Sequence, residues 1–210
     1  LGGYIISEVH YTGIEMLIEV IKPGILVRNN LGMILQASST VTLVCTDGHN
    51  LVIDSGVPGE EKSILQGLSK HGLSKEDIDT VINTHLHGDH MGNNALFRKA
   101  RFFAHAKELP VRLKNVIVIE GDFEFSKSIK IIETPGHTQG SISVVVYDSE
   151  EDKTYVIAGD ALPIKDNYLQ WVPPGINFNP EIALASMKKI VQIADYVIPG
   201  HDDIFSIKKS

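Results

Sequence analysis

Thr84-His85-Leu86-His87-Gly88-Asp89-His90 places three imidazoles and a carboxylate within seven residues. Crowding unpaired nitrogens and oxygens together gives a fold no stability, because burying them without partners costs desolvation energy. Divalent cations compensate for that cost, since neutral imidazole and carboxylate suit zinc and its neighbours. The stretch directly follows a β-like run, Thr80 to Asn83. It therefore sits at a strand end, where sheet proteins commonly place reactive groups.

Outward from this loop, the same arrangement recurs. His137, in Thr134-Pro135-Gly136-His137-Thr138, follows the run Ile129 to Glu133, and His201, in Pro199-Gly200-His201, follows Tyr196 to Ile198. Asp160, in Ala158-Gly159-Asp160, and Asp54, in Ile53-Asp54-Ser55-Gly56, also end strands. Glycines beside them let the backbone turn sharply and approach a site closely. Taken alone, Gly136-His137 and Gly200-His201 read as turn histidines. Beside the first cluster they read as metal ligands, and Asp160 reads as a bridging ligand. Asp54 is expected to orient a metal-bound histidine; capping its own turn is the alternative. The remaining histidines, His10, His49, His71 and His105, are expected at the surface or at helix ends.

The other elements follow from periodicity and punctuation. Further strands are expected at Met16 to Ile21, Val41 to Cys45 and Leu51 to Ile53, the last two joined by the turn Asp47-Gly48-His49-Asn50. In the second half they are expected at Arg101 to Ala104, Val116 to Ile119, Ser141 to Tyr147 and Thr154 to Ala158. A helix from Glu60 to His71 buries Ile64, Leu65 and Leu68 and stops at Gly72. A second opens at Asn179-Pro180-Glu181, with an N-cap, a first-position proline and an acid at the positive dipole end. Many short strands interrupted by helices suggest two packed sheets with helices outside.

The 210 residues read as one domain, 1–210, because no Ser- or Gly-rich linker or repeat divides them. With 43% hydrophobic and 21% charged residues the chain has the composition of a soluble globule. A net charge of −7 gives no general attraction for nucleic acid or acidic membranes. The single cysteine, Cys45, cannot form an intrachain disulfide. It reads as a small buried hydrophobe and fits a reducing, cytoplasmic location. No apolar run reaches the roughly 18–20 residues of a membrane span, and Leu1-Gly2-Gly3-Tyr4 does not open a signal peptide.

Taken together, Asp54, the 84–90 loop, Gly136-His137, Gly159-Asp160 and Gly200-His201 resemble the metallo-β-lactamase superfamily in kind and order. The resemblance implies an α+β fold, a four-layer αββα sandwich of two mixed sheets with helices outside, and a metal site at one edge between the sheets. It implies that His85, His87 and His137 hold one ion, that Asp89, His90 and His201 hold the other, and that Asp160 bridges them. Two zinc ions are expected, with manganese or iron(II) also suited to these ligands. The segments 87–97, 134–137 and 194–201 resemble the group of metallo-β-lactamase domain-containing protein 1 in particular.

The expected activity is a dinuclear, zinc-dependent hydrolysis by a bridging hydroxide, with Asp89 helping to carry the proton. Small anionic esters, thioesters, lactones, amides or phosphodiesters are the expected substrates. Two alternatives share the fold: a nuclease, disfavoured by the acidic balance, and a mononuclear iron persulfide dioxygenase using His85, His87, His137 and Asp160. Homoserine-lactone hydrolases usually carry a tyrosine three residues after the bridging aspartate. Here that position is Pro163, with Tyr168 as the nearest substitute. The stretch Pro163 to Asn179 reads as a loop without periodicity. Long loops of this kind are often functional lids. Tyr168 and Trp171 are candidates for a flat apolar lip beside the metals, a surface crossover or a homodimer contact being the alternatives.

Overall fold

Alternation of apolar side chains builds two faces on every central strand. The computed structural model describes residues 16–109 and 116–208; the reading of His10 and of the first four residues lies outside them. Strands β1 (Leu17–Lys22), β4 (Val41–Thr46), β5 (His49–Ile53), β6 (Thr80–Ile82), β7 (Arg101–His105) and β8 (Val116–Ile119) form one mixed sheet in that order. The second mixed sheet runs β14 (Phe205–Ser206), β13 (Tyr196–Pro199), β12 (Lys153–Gly159), β11 (Ile142–Asp148), β10 (Ile129–Glu133), β9 (Phe123–Glu124). Val44, Leu51, Ile53 and Ile82 of the first sheet meet Ile131, Ile142, Val144 and Ile157 of the second in a core between them. The alternate residues Val41, Leu43 and Val52 pack instead against Ile64 and Leu68 of α1 (Glu61–Lys70). On the far side, Met187 and Ile190 of α4 (Pro180–Ile193) cover Val156 and Val197. The architecture is the four-layer αββα sandwich.

Local chemistry sets the boundaries. Asp47 and Gly48, at φ of 54° and 77°, make the β4–β5 connection, a two-residue turn whose twist suits paired antiparallel strands. His49 and Asn50 already belong to β5. The Asn179 side chain accepts hydrogen bonds from the Glu181 and Ile182 amides at 2.9 and 3.0 Å, and Pro180 opens α4.

Two parts of the chain depart from expectation. Residues 163–179 are not uniformly loop, because α3 (Lys165–Gln170) occupies their first half; a helix this short has no second turn to show a periodic stripe. A separate antiparallel hairpin, β2 (Ile25–Arg28) with β3 (Ile34–Ser38), was not expected at all. The short helix α2 (Gly88–Met91) carries Asp89 and His90.

The strands β5, β6, β10, β12 and β13 each lead, at their C-terminal ends, into a segment bearing candidate site residues, four of them after β6 and one after each of the others. Replacing Asn179 with Ala should lower stability by about 1 kcal/mol. Thermal unfolding should register this as a fall of about 2–4 °C in Tm.

Candidate metal centre

Three sets of side chains converge: His85, His87 and His137; His85, His90 and Asp160; and Asp89, His90 and His201. Within each set the ligand atoms lie no more than 4.8 Å apart. All seven residues expected to bind metal are thereby brought to one place. Asp160 stands between the outer pairs, with Oδ2 3.5 Å from His137 Nε2 and Oδ1 3.2 Å from His201 Nε2. Asp89 Oδ2 lies 3.6 Å from the same His201 nitrogen.

The tautomers are set from behind. His137 Nδ1 donates to the Ile176 carbonyl at 2.7 Å, and His201 Nδ1 donates to the Ser38 carbonyl at 2.9 Å. His90 Nδ1 donates to Asp54 Oδ2 at 2.8 Å. Thr84 Oγ1 gives its proton to Asp54 Oδ2 at 2.7 Å and is left to accept from His85 Nδ1 at 3.2 Å. Each neutral ring therefore turns an Nε2 lone pair inward. His90 and His201 oppose theirs at 3.4 Å, and His137 Nε2 faces His87 Nδ1 at 3.0 Å. His85 Nε2 and Asp160 Oδ1 are buried without any hydrogen-bond partner. Inward lone pairs on buried imidazoles beside two carboxylates fit divalent cations and little else.

Charge reinforces the fit. Burial, then the neighbouring His90, holds His85 well below the usual histidine range. For His90, burial alone would act the same way, but Asp54 and Asp160 outweigh it and lift the ring to about 10. Burial would raise Asp160; His90 and His201 reverse this and keep it well below the ordinary carboxylate value. Protons and divalent cations thus compete for the same inward nitrogens.

The supports reach further than the ligands. Asp54 takes the left-handed conformation at φ 57°, and its Oδ1 also accepts the Thr84 amide at 2.8 Å. Gly159, at φ 51°, lies so close to Thr84 that a Cβ there would be 2.5 Å from its hydroxyl. Glu108 accepts the amides of Leu86 and Gly140, both at 3.0 Å, tying the loop of His85 to that of His137. Lys22 is buried; it pairs with Glu60 at 2.9 Å and donates to Ser38 Oγ and, at 2.8 Å, to the Ser39 carbonyl. The Ser39 amide donates in turn to the Asp89 carbonyl at 3.0 Å. One buried cation thus steadies the link that presents partners to both His201 and Asp89.

A cavity of about 100 Å³ opens onto His87, Asp89, His137, Asp160 and His201. Tyr168 and Trp171 are not among its lining residues. The Tyr168 ring stacks on Phe205 at 5.5 Å, and Trp171 ends α3 with an exposed side chain. Leu26, Arg28, Ile34 and Ala37 of the β2–β3 hairpin line the cavity instead, together with Pro163 and residues 174–176. The strands of this hairpin carry apolar residues on both faces and so show no alternation; the Asn29-Asn30-Leu31-Gly32 turn is its mark in the sequence. His105 corrects the surface expectation: it is buried and meets Glu133 at 2.7 Å. His49 pairs with Asp79 at 3.2 Å, and His71 caps the end of α1. Cys45 is buried as expected, its thiol pushed up to about 11 by burial and by Asp79.

Residues 36–113 match the sequence profile of the metallo-beta-lactamase superfamily. The chain is 45% identical over 191 residues to a protein named probable metallo-hydrolase MJ0296 from Methanocaldococcus jannaschii, covering 90% of this chain and 89% of that one. It is 31% identical over 186 residues to metallo-beta-lactamase domain-containing protein 1 of Xenopus laevis, covering 85% and 76%. Its fold matches that of AiiA from B. thuringiensis, solved with N-decanoyl-L-homoserine bound at the active site, at a TM-score of 0.69 and 22% identity over 89% and 92% of the chains. The chain belongs to the metallo-β-lactamase superfamily.

Two outcomes follow from the ring of supports. Asp54→Ala should weaken zinc retention about 10- to 100-fold, measured by equilibrium dialysis against a chelator; unchanged retention would show that Asp54 only caps its turn. Asp54 and Asp160 favour a proton on His90, and a cation seated on its inner nitrogen competes with that proton. Zinc titration calorimetry in buffers of different ionisation enthalpy should therefore detect proton release, and uptake should weaken as pH falls.

Proposed function

We propose that this protein is a dinuclear zinc hydrolase of small anionic esters, thioesters, lactones or phosphodiesters. The observation that carries the reading is the convergence of inward imidazole lone pairs, four of them fixed by their outer nitrogens, around the Asp160 carboxylate. His85, His87 and His137 would hold one cation, and Asp89, His90 and His201 the other, with Asp160 shared. Bound there, the cations supply activated water and polarise the scissile carbonyl or phosphoryl group. The two carboxylates, Asp160 and Asp89, leave such a pair with an excess of positive charge, which favours an anionic substrate.

The protein's own groups complete the chemistry. Asp89 is only partly buried and borders the cavity, so its carboxylate can take a proton and pass it to the departing group. The Ile176 and Ser38 carbonyls keep His137 and His201 from rotating away. Leu26, Ile34 and Ile176 form an apolar wall that shields the reacting bond from bulk water. The cavity's small volume suits a small molecule better than a duplex. The name of the metallo-hydrolase from M. jannaschii supports the reaction class.

Elemental analysis of freshly purified protein should find about two zinc ions per chain. Screening with esters, thioesters, lactones and bis-p-nitrophenyl phosphate should then find metal-dependent turnover. One iron per chain, with oxygen consumed alongside a persulfide, would overturn the hydrolase reading. His87→Ala should lose metal and reduce turnover to background; an undiminished rate in the metal-loaded variant would refute the scheme.

A further inference from the structure

Among the described residues lining the cavity, Arg28 alone carries a permanent positive charge. The β2–β3 hairpin aims it there. Leu26 and Arg28 are two apart on one strand and so share a face. Their partners across the ladder are Ala37 and Ile34, and all four line the cavity. A register shift beside Arg28 pairs it with Ile34 rather than Leu35. Without that bulge the two would not stand opposite each other. The guanidinium is braced from behind, Nη1 donating to the Gly32 carbonyl at 2.8 Å. Nη2 reaches across the mouth toward Gly175, where a Cβ would lie 3.4 Å from it. A guanidinium has five N–H donors in a planar fork, so most of them remain for a ligand at this cavity after the Gly32 bond.

We infer that Arg28 is a specificity-determining residue: it holds an oxyanion, carboxylate or phosphate, borne by the substrate at a distance from the scissile bond. The apolar body between the two ends rests on Leu26, Ile34 and Ile176. This rests on the hydrolase reading above and narrows its substrate to an amphiphilic acid. A fork of donors suits such an oxyanion, which it can grip with two parallel hydrogen bonds. A net-positive metal centre would draw any oxyanion toward the reacting bond, so a second, fixed cation at the rim decides which end of the substrate stays outside.

The test compares two esters of equal length in the zinc-loaded protein, mono-p-nitrophenyl glutarate and p-nitrophenyl pentanoate, with a phosphate-ended ester as a third arm. Wild type should prefer the charged esters, and the stronger of the two preferences identifies the oxyanion. In Arg28→Gln the charged-to-neutral ratio of kcat/KM should fall about 10- to 100-fold. Arg28→Lys should keep part of the preference. Were Arg28 only a brace for the hairpin, both esters would suffer alike and the ratio would stay put, which overturns the inference. Calorimetric titration with glutarate separates the two readings. Glutarate binding that weakens about tenfold in Arg28→Gln, in a protein that turns over no ester, keeps the anion subsite and sinks the hydrolase. Turnover of both esters with glutarate affinity indifferent to Arg28 does the reverse.

Discussion

Lone pairs forced to face one another are the constraint around which this molecule is arranged. A buried imidazole ordinarily pairs both nitrogens with protein or water. Here His85, His90, His137 and His201 spend their outer nitrogens on Thr84, Asp54, Ile176 and Ser38, and their inner ones are left facing other imidazole nitrogens or unpartnered. Such a cluster is repulsive until positive charge enters it. The supporting bonds hold the rings against rotation, so the cluster is preorganised for a cation.

That readiness is distributed over elements far apart in sequence. Asp54 at the end of β5 orients His90 and, through Thr84, His85. Glu108, beyond β7, fastens the first ligand loop to the one carrying His137. Lys22, on an edge strand, stabilises the Ser38-Ser39 link behind His201 and Asp89. Burying this ammonium depresses its proton affinity, an effect that the ion pair with Glu60 opposes. Glycine at position 200 serves the same end by omission, since a Cβ there would collide with Asp160 Oδ1.

The candidate ligands could be read from the chain because their chemistry is concentrated: imidazoles and carboxylates beside glycines, each just past an apolar run. The layered fold was legible for a related reason, since period-two alternation marks the strands and punctuation marks the helices. What was hidden depends on meetings across the fold. Nothing near Glu108 announces two amides from separate loops, and nothing near His105 announces Glu133 on the facing sheet. Arg28 and Ile34 come opposite one another only through a bulge in the hairpin. The aromatic pair at 168 and 171 reads as a lip from size alone, and size does not say what a side chain will meet: Trp171 stays exposed. Tyr168 found Phe205.

Each trio of candidate ligands draws from both halves of the sandwich. His85 and His87 follow a strand of the first sheet and His137 follows one of the second; Asp89 and His90 likewise answer to His201. A cation seated in either trio is therefore a rivet through two layers, and its binding energy resists their separation by mass action. Along this edge, stripping a bound metal would loosen a seam as well as silence a reaction, so the join between the layers and the candidate site are one and the same place.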